Sequence, residues 1–520
     1  MDKKITLFLL ILVLALSLRS TGIDRAMVHD ESIFTMTSVN LADTGKPLYI
    51  VYPRVAYWTD HPHFSVLMYA LSIKLLGVSD LAFRIMPLIF GLLTIFLTYL
   101  LGKYLFSERI GLIAAFLMAI SRYHIFASQR IDVDGGFVTF LNLAMVFFFL
   151  MYMKHEKNLY IVLTSTFLIL SVFAKLHAFI PVAPLLLFVY LNEKDKIKRK
   201  RLIKKGLIVF SGSVLASIFL LYIYSVIMGS NLIFTGAFVH LIEGPSILEH
   251  EIGQIVYDKL YYIGIVTWQL TPFLSILLLC ALIRLKKDPR YYLLASWIIL
   301  TFLLFGLTFG GDKQRTFSSV LPPVFILTAA YLSKIEFNKE KILIIVASLT
   351  AFLLALLAGI NDLMAYHNPL MLGFVYLTAL AILLFRKKAM IILLSGFIGL
   401  SLYAVYDYTS WQYAQSYTVE KLVDKVEEFN FPLNETWSNK DIAYYLYLKQ
   451  GKQFEIWFPD FENISYMKEN NIRYLAYYSV TKDRSEAMAG ILPYCDRSYN
   501  LTLHNYLVGI VCEIKDPQSL

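Results

Sequence analysis

The chain has 520 residues, 58% hydrophobic and only 16% charged, with a mean hydropathy of +0.61. Soluble domains are about half apolar and a quarter charged, so this composition excludes an ordinary soluble protein and indicates a polytopic membrane one. The net charge of +9 does not make nucleic acid a partner, because most basic residues sit in short loops between apolar runs.

Apolar runs near the roughly 20 residues needed to cross hydrocarbon predict about thirteen spans. They lie at roughly 5–19, 84–102, 110–121, 136–153, 159–173, 178–191, 207–228, 260–283, 291–309, 316–333, 342–360, 369–385 and 389–406. Lys3 and Lys4 precede the first, but Leu18-Arg19-Ser20-Thr21 is a poor cleavage site, so it reads as an uncleaved anchor. With a cytoplasmic N-terminus, every strongly basic loop falls inside: Lys103/Arg109, Lys154/Lys157, the run Lys194 to Lys205, Arg284 to Arg290, Lys334 to Lys341, and Arg386 to Lys388. An odd number of spans then places the C-terminal tail outside. Of the three cysteines, Cys280 lies in an apolar run and none has metal-site spacing.

The outer loops hold the chemistry. The first, about 20–83, carries Asp30-Glu31, then Tyr57-Trp58-Thr59-Asp60-His61-Pro62-His63, then an apolar helix from Phe64 to Gly77. That helix is too short to span easily and is predicted to lie along the interface. The second holds Arg122, Tyr123, His124, Gln129, Arg130, Asp132 and Asp134; the third holds Lys175 and His177. The fourth carries His240, Glu243, Glu249, His250 and Glu251, and the fifth Lys313 and Arg315 just before Pro322-Pro323. Charges beside a bilayer are costly and are kept for a partner or a task. Acids, bases and histidines from separate loops thus converge on one face.

From about Ser410 the composition changes to that of a small α/β domain. Ser438 to Asp441 reads as a capping box opening a helix that stops before Gly451, and strands are predicted at Gln453–Phe458, Ile472–Val480 and Tyr506–Ile514. The sequons at Asn434, Asn463 and Asn500 all fall in this tail, as expected of an outward-facing domain or, equally, by chance in a polar one. Cys495 and Cys512 flank a predicted hairpin, and either a disulfide or two thiols fits there.

The order of these features resembles the GT-C glycosyltransferases. The shared pattern is a first span, Asp-Glu, a His-Pro-x-hydrophobic interfacial helix, then Ala82-Phe83-Arg84-Ile85-Met86-Pro87 leading the second span. Arg130-x-Asp132-x-Asp134 and Arg315 before the Pro-Pro span fit the branch that holds protein O-mannosyltransferases and the lipid A aminoarabinose transferase. The resemblance covers roughly residues 5–335. It implies a mainly α, GT-C-type membrane helix bundle over 1–409, to which the tail's own composition adds an extracytoplasmic α/β domain over 410–520. It also implies an enzyme that takes a sugar from a polyprenyl phosphate at the external membrane face and passes it to a protein, glycan or lipid acceptor. His63 replaces the second Pro usual after His-Pro. The Trp-Trp-Asp-Tyr-Gly signature of oligosaccharyltransferase catalytic subunits is absent, which argues against transfer of a preassembled glycan to Asn.

Such a transfer needs a base for the acceptor hydroxyl and positive charge for the departing phosphate; the phosphate leaves as a stable anion and needs no general acid. A single carboxylate opposite the phosphate would invert the anomeric centre. The resemblance gives that role to Asp30, within a catalytic set of Asp30, Glu31 and Asp134; the alternative is that Asp30 caps a short helix. Arg315, Lys313 and Arg130 are the phosphate ligands or else snorkel to lipid headgroups. Asp132 and Asp134 orient acceptor or sugar, or pair with Arg130. His61 contacts phosphate, or Asp60, His61 and His240 share a divalent metal, which is possible but not required. The rival reading is a secondary transporter or a flippase for lipid-linked saccharides. Against it, the spans are nearly free of acids and no half-repeat is visible.

Overall fold

The computed structural model describes residues 3–21, 23–24, 30–51, 54–57, 61–242, 270, 272–308, 317–334, 417–432, 436–438, 442, 473–478, 488–503 and 506–515. It is mostly helical and divides into two compact units. One comprises Met1–Thr21, Thr59–Ser65 and Met86–Tyr406; the other comprises Gly22–Trp58, Val66–Ile85 and Asp407–Leu520.

The first unit begins with α1 (Lys3–Ser20). After α2 (Asp30–Thr44) and α3 (Phe64–Leu76), α4 (Asp80–Leu105) continues into it, followed by α5 (Glu108–Ala119), α6 (Arg122–Gln129), a π-helical turn (Asp134–Val138) and α7 (Thr139–His155). Then come α8 (Asn158–Ala174), α9 (Val182–Asn192), α10 (Lys196–Met228), α11 (Asn231–Ile242), α12 (Pro272–Ile283), α13 (Pro289–Thr308) and α14 (Leu321–Leu332). Helix α14 is central: every residue from Leu321 to Tyr331 is buried, and it packs on α5, α7, α12 and α13. Helix α7 packs on α8, which packs on α10. Helix α10 instead turns Leu207, Ile208, Leu215, Phe219, Val226 and Ile227 outward, an apolar face that water would not tolerate and lipid would.

Among the described residues, three helices are long and apolar enough to cross a bilayer: α4, the stretch Gly136–His155, and α10; α5 and α6, bent by 64°, make a fourth if they form one span. Other expected spans appear as shorter apolar helices, and those at 342–360, 369–385 and 389–406 lie outside the described residues. Two expected boundaries shift. Helix α10 starts at Lys196, so much of the basic run read as loop is helical. Asp195 caps it by accepting from the Ile197 and Lys198 N–H groups (2.8 and 3.4 Å). Cations oppose the dipole at a helix start, and here Glu156 and Glu193 offset that by pairing with Lys198 (3.3 and 3.5 Å). The second outer loop is also largely helical: Tyr123, His124 and Gln129 belong to α6 and are buried.

Glycines allow a close crossing of α4 and α5. A Cβ on Gly111 in α5 would lie 2.5 Å from the Tyr99 carbonyl oxygen and 2.9 Å from the Lys103 nitrogen of α4, and one on Gly102 would lie 2.9 Å from the Gly111 Cα. Small residues bring membrane helices together in this way. We expect Gly111→Ala to cost about 1–3 kcal/mol, the usual range for overpacking. The unfolding midpoint in detergent should fall, and an unchanged midpoint would contradict this close approach.

In the second unit α2 packs beside the hairpin β1 (Leu48–Val51) and β2 (Arg54–Tyr57), with Asn40 Nδ2 donating to the Leu48 carbonyl at 2.8 Å. The tail supplies a four-stranded sheet in the order β3-β4-β6-β5, from β3 (Thr436–Ser438), β4 (Tyr474–Tyr478), β5 (Cys495–Leu503) and β6 (Tyr506–Ile514). β3 and β4 are parallel and the other pairs antiparallel. Alternation puts Leu475, Tyr477, Ile510 and Cys512 on one face, with Met488 and Ile491. Ala476 and Val511 face the other way, against Val419, Leu422, Val423 and Val426 from the helix over 417–428. Of the alternatives for Cys495 and Cys512, the disulfide is the one observed, with Cα atoms 5.6 Å apart. β6 matches its predicted bounds and β4 lies inside its own; the expected helix up to Gly451 and strand 453–458 fall outside the described residues. Asn500 is exposed on β5, and the other two sequon asparagines lie outside the description.

Candidate active site

In the second unit, Asp30 and Glu31 form the first turn of α2, where the helix N-terminus stabilises negative charge. Successive helical residues point about 100° apart, so the two acids take different surroundings. Glu31 is 1% exposed, and its Oε2 lies 3.5 Å from Nη2 of Arg84, itself fully buried in α4. Arg84 also reaches Asp80 Oδ1 at 3.8 Å, one helical turn back, and donates to the Ile23 carbonyl at 3.4 Å. Asp30 stays partly exposed at the start of the same helix.

The first unit holds the second acid group. Asp132 is 3% exposed and receives Arg130 Nε at 3.1 Å, while the Arg130 guanidinium lies 5.3 Å over the Phe126 ring. Of the alternatives for Asp132, pairing with Arg130 is therefore present. Asp134 opens the π-helical turn, a feature often found at functional sites. That turn is pressed on α4, where a Cβ on Gly136 would lie 3.1 Å from the Pro87 Cα. Ahead of α3, His61 is partly exposed. His63 is fully buried, its Nδ1 3.0 Å from the Tyr224 hydroxyl of α10.

α3 runs from Phe64 to Leu76 with Val66, Tyr69 and Ile73 buried and Leu71, Leu75 and Leu76 exposed, as suits a helix lying at an interface. Asp60, Lys313 and Arg315 lie outside the described residues, as do the side chains of Asp134 and His240. Among the described residues no group of three His, Cys, Asp or Glu side chains is placed to hold a metal. Of the expected Asp60, His61 and His240 set, Asp60 and the His240 side chain lie outside the described residues.

One buried cation was not anticipated as a functional or structural centre. Arg19, at the end of α1, is 0% exposed. Its Nη1 donates to the carbonyls of Ala15 (3.0 Å) and Ala119 (2.9 Å), and its Nη2 to that of Met118 (3.3 Å) and to His124 Nδ1 (2.6 Å). Nε reaches Ser128 Oγ at 3.3 Å. Arg has no acceptor, so His124 Nδ1 accepts and the ring proton sits on Nε2. Gln129 donates back to the carbonyls of Arg19 (3.1 Å) and Thr21. The end of α1 is thereby latched to α6, directly before the Arg130–Asp134 segment. The only sequence signal was an arginine closing an apolar run. Arg19→Met should cost about 3 kcal/mol, because it strands buried acceptors; unfolding in detergent would check this.

Residues 60–227 match the family model of dolichyl-phosphate-mannose-protein mannosyltransferases. Among solved structures, ArnT from Cupriavidus metallidurans in the apo state is similar at a TM-score of 0.61 and 14% identity, covering 97% of each chain. ArnT bound to undecaprenyl phosphate gives the same score and identity over 99% of this chain and 98% of that one. The archaeal oligosaccharyltransferase AglB from Archaeoglobus fulgidus, in complex with an inhibitory peptide and a dolichol-phosphate, has a TM-score of 0.50 at 14% identity, over 99% of this chain and 74% of that one. No curated protein matches in sequence. The fold is that of ArnT, and over residues 60–227 the sequence is similar to the dolichyl-phosphate-mannose-protein mannosyltransferases.

Proposed function

We propose that the protein transfers a sugar from a polyprenyl phosphate, dolichyl or undecaprenyl, to a protein, glycan or lipid acceptor at the external membrane face. The chain crosses the membrane about thirteen times, with its N-terminus cytoplasmic and 410–520 outside. Asp30 takes the acceptor hydroxyl's proton, and the oxygen attacks the anomeric carbon from the side opposite the phosphate. The anomeric C–O bond to the phosphate breaks, the configuration inverts, and the lipid phosphate leaves as an anion held by Arg130, Arg315 and Lys313. Asp132 fixes Arg130; Asp134, His61, Asp60 and His240 line the donor and acceptor side, and the last three could hold a divalent metal, which the reaction does not require.

The observation that carries this reading is the division of labour at α2: Glu31 neutralises buried Arg84 while Asp30 keeps solvent access. The lipid phosphates bound by ArnT and AglB support the donor class, and the family match over 60–227 favours a mannosyl donor. Purified protein offered mannosyl, glucosyl, pentosyl and aminosugar polyprenyl phosphates should transfer one of them. Movement of lipid-linked saccharide or solute across proteoliposomes without any transfer would favour the transporter reading instead.

A further inference from the structure

Within the first unit, a cavity of about 800 Å³ opens among the helix ends that carry the basic loops. Its wall is apolar, formed by Leu100 of α4, Phe147 and Met151 of α7, and Phe188 of α9. Its rim is cationic, with Lys103, Lys154, Lys198 and Arg290 contributed by the ends of α4, α7, α10 and α13; Glu193 is the lining acid. The volume lies within the ~300–1,000 Å³ usual for small-ligand sites.

The pairing of these cations matters. Lys103 shares Glu108 with Lys4 (3.3 and 2.9 Å), and Lys198 shares Glu156 with Arg201 (3.3 and 2.8 Å). Arg290 is held by Asp288 at 2.5 Å; the same contacts keep the Asp288 carboxyl below the usual carboxylate range. Lys154 differs: it lies 5.5 Å over the Tyr104 ring, and among the described residues no carboxylate pairs with it. One lysine is thus left with an aromatic partner above an apolar cleft, between paired cations that can still donate.

We propose that this cavity binds an anionic phospholipid, its headgroup phosphate on Lys154 with Lys198 and Arg290 flanking and one hydrocarbon chain along Leu100, Phe147, Met151 and Phe188. Charge complementarity selects the phosphate. The apolar wall, and the outward Leu187, Tyr190 and Leu191 on α9 beside Phe188, select a lipid over a free anion. The site shares no residue with those assigned to sugar transfer, so it stands independently of that reaction.

Native mass spectrometry of the full chain released from mild detergent tests this, with dioleoylphosphatidylglycerol, dioleoylphosphatidylcholine or inorganic phosphate added. The anionic lipid should be retained about tenfold over the zwitterionic one, a difference of one good charge-assisted contact, and millimolar phosphate should not displace it. Lys154→Gln should remove most of that preference and Lys154→Arg should keep it. Met151→Trp, which fills the cleft and leaves every charge in place, should lower retention of the anionic lipid as well. It decides the matter should Lys154→Gln fold poorly by its unfolding midpoint. Equal retention of the two lipids, displacement by phosphate alone, or full retention in Met151→Trp would each overturn the assignment.

Discussion

Asp30→Asn is expected to slow sugar transfer by about 10²–10⁴-fold, the usual contribution of a positioned general base, while the protein stays folded and still binds its donor. The substitution is nearly isosteric and keeps an acceptor oxygen at the start of α2, but the amide cannot take the acceptor's proton. It leaves the neighbouring Glu31–Arg84 pair intact, so the unfolding free energy should fall by no more than the ~0.3–1 kcal/mol of one charge at a helix N-terminus. Three measurements separate the roles: kcat at saturating donor, donor Kd, and the unfolding midpoint. A fall in kcat alone supports the base. If the variant transfers sugar at the normal rate, Asp30 merely begins a helix. If donor binding is what fails, Asp30 holds the substrate, and the proton goes elsewhere.

Much of this arrangement was legible in the sequence because bilayer crossing leaves a coarse signal. The apolar runs at 84–102 and 136–153 correspond to two of the three long apolar helices, α4 and Gly136–His155, since a helix satisfies all its backbone groups within one segment in hydrocarbon. Local chemistry gave β6 and much of β4 in the same way. The errors fall where tertiary pairing decides. Lys196 to Arg201 are helical because Asp195 caps them and Glu156 and Glu193 offset their charge, and Glu156 lies about 40 residues away in sequence. Segment 122–129 read as an exposed loop from its polar residues, yet His124 and Gln129 are buried by Arg19 at the far end of α1. At the acid pair, composition pointed to Asp30-Glu31 as a unit. Which acid turns inward depended on where Arg84 arrives, some fifty residues later, and spacing does not encode that.

The Arg84–Glu31 pair should give the largest stability loss of any single change considered. Both side chains are essentially removed from solvent, at 0% and 2% exposure, so neither can regain water when its partner is removed. Breaking a buried pair from one side typically costs about 3–5 kcal/mol, because the remaining charge is left uncompensated. Arg84→Met and Glu31→Gln should therefore each lower the unfolding free energy in mixed micelles by about that amount. The Asp80 contact of Arg84, at 3.8 Å and with an aspartate 35% exposed, is too long and too wet to take over. The double variant Glu31→Gln/Arg84→Met should be more stable than the sum of its parents, since it removes both charges together. This cycle also tests the division of labour between the two acids. If the pair is structural, the double variant recovers folding and, with Asp30 unchanged, a measurable part of its transfer activity. Should Glu31→Gln unfold no more readily than the parent chain while activity vanishes, Glu31 would be acting on the substrate, and the separation drawn between it and Asp30 would fail.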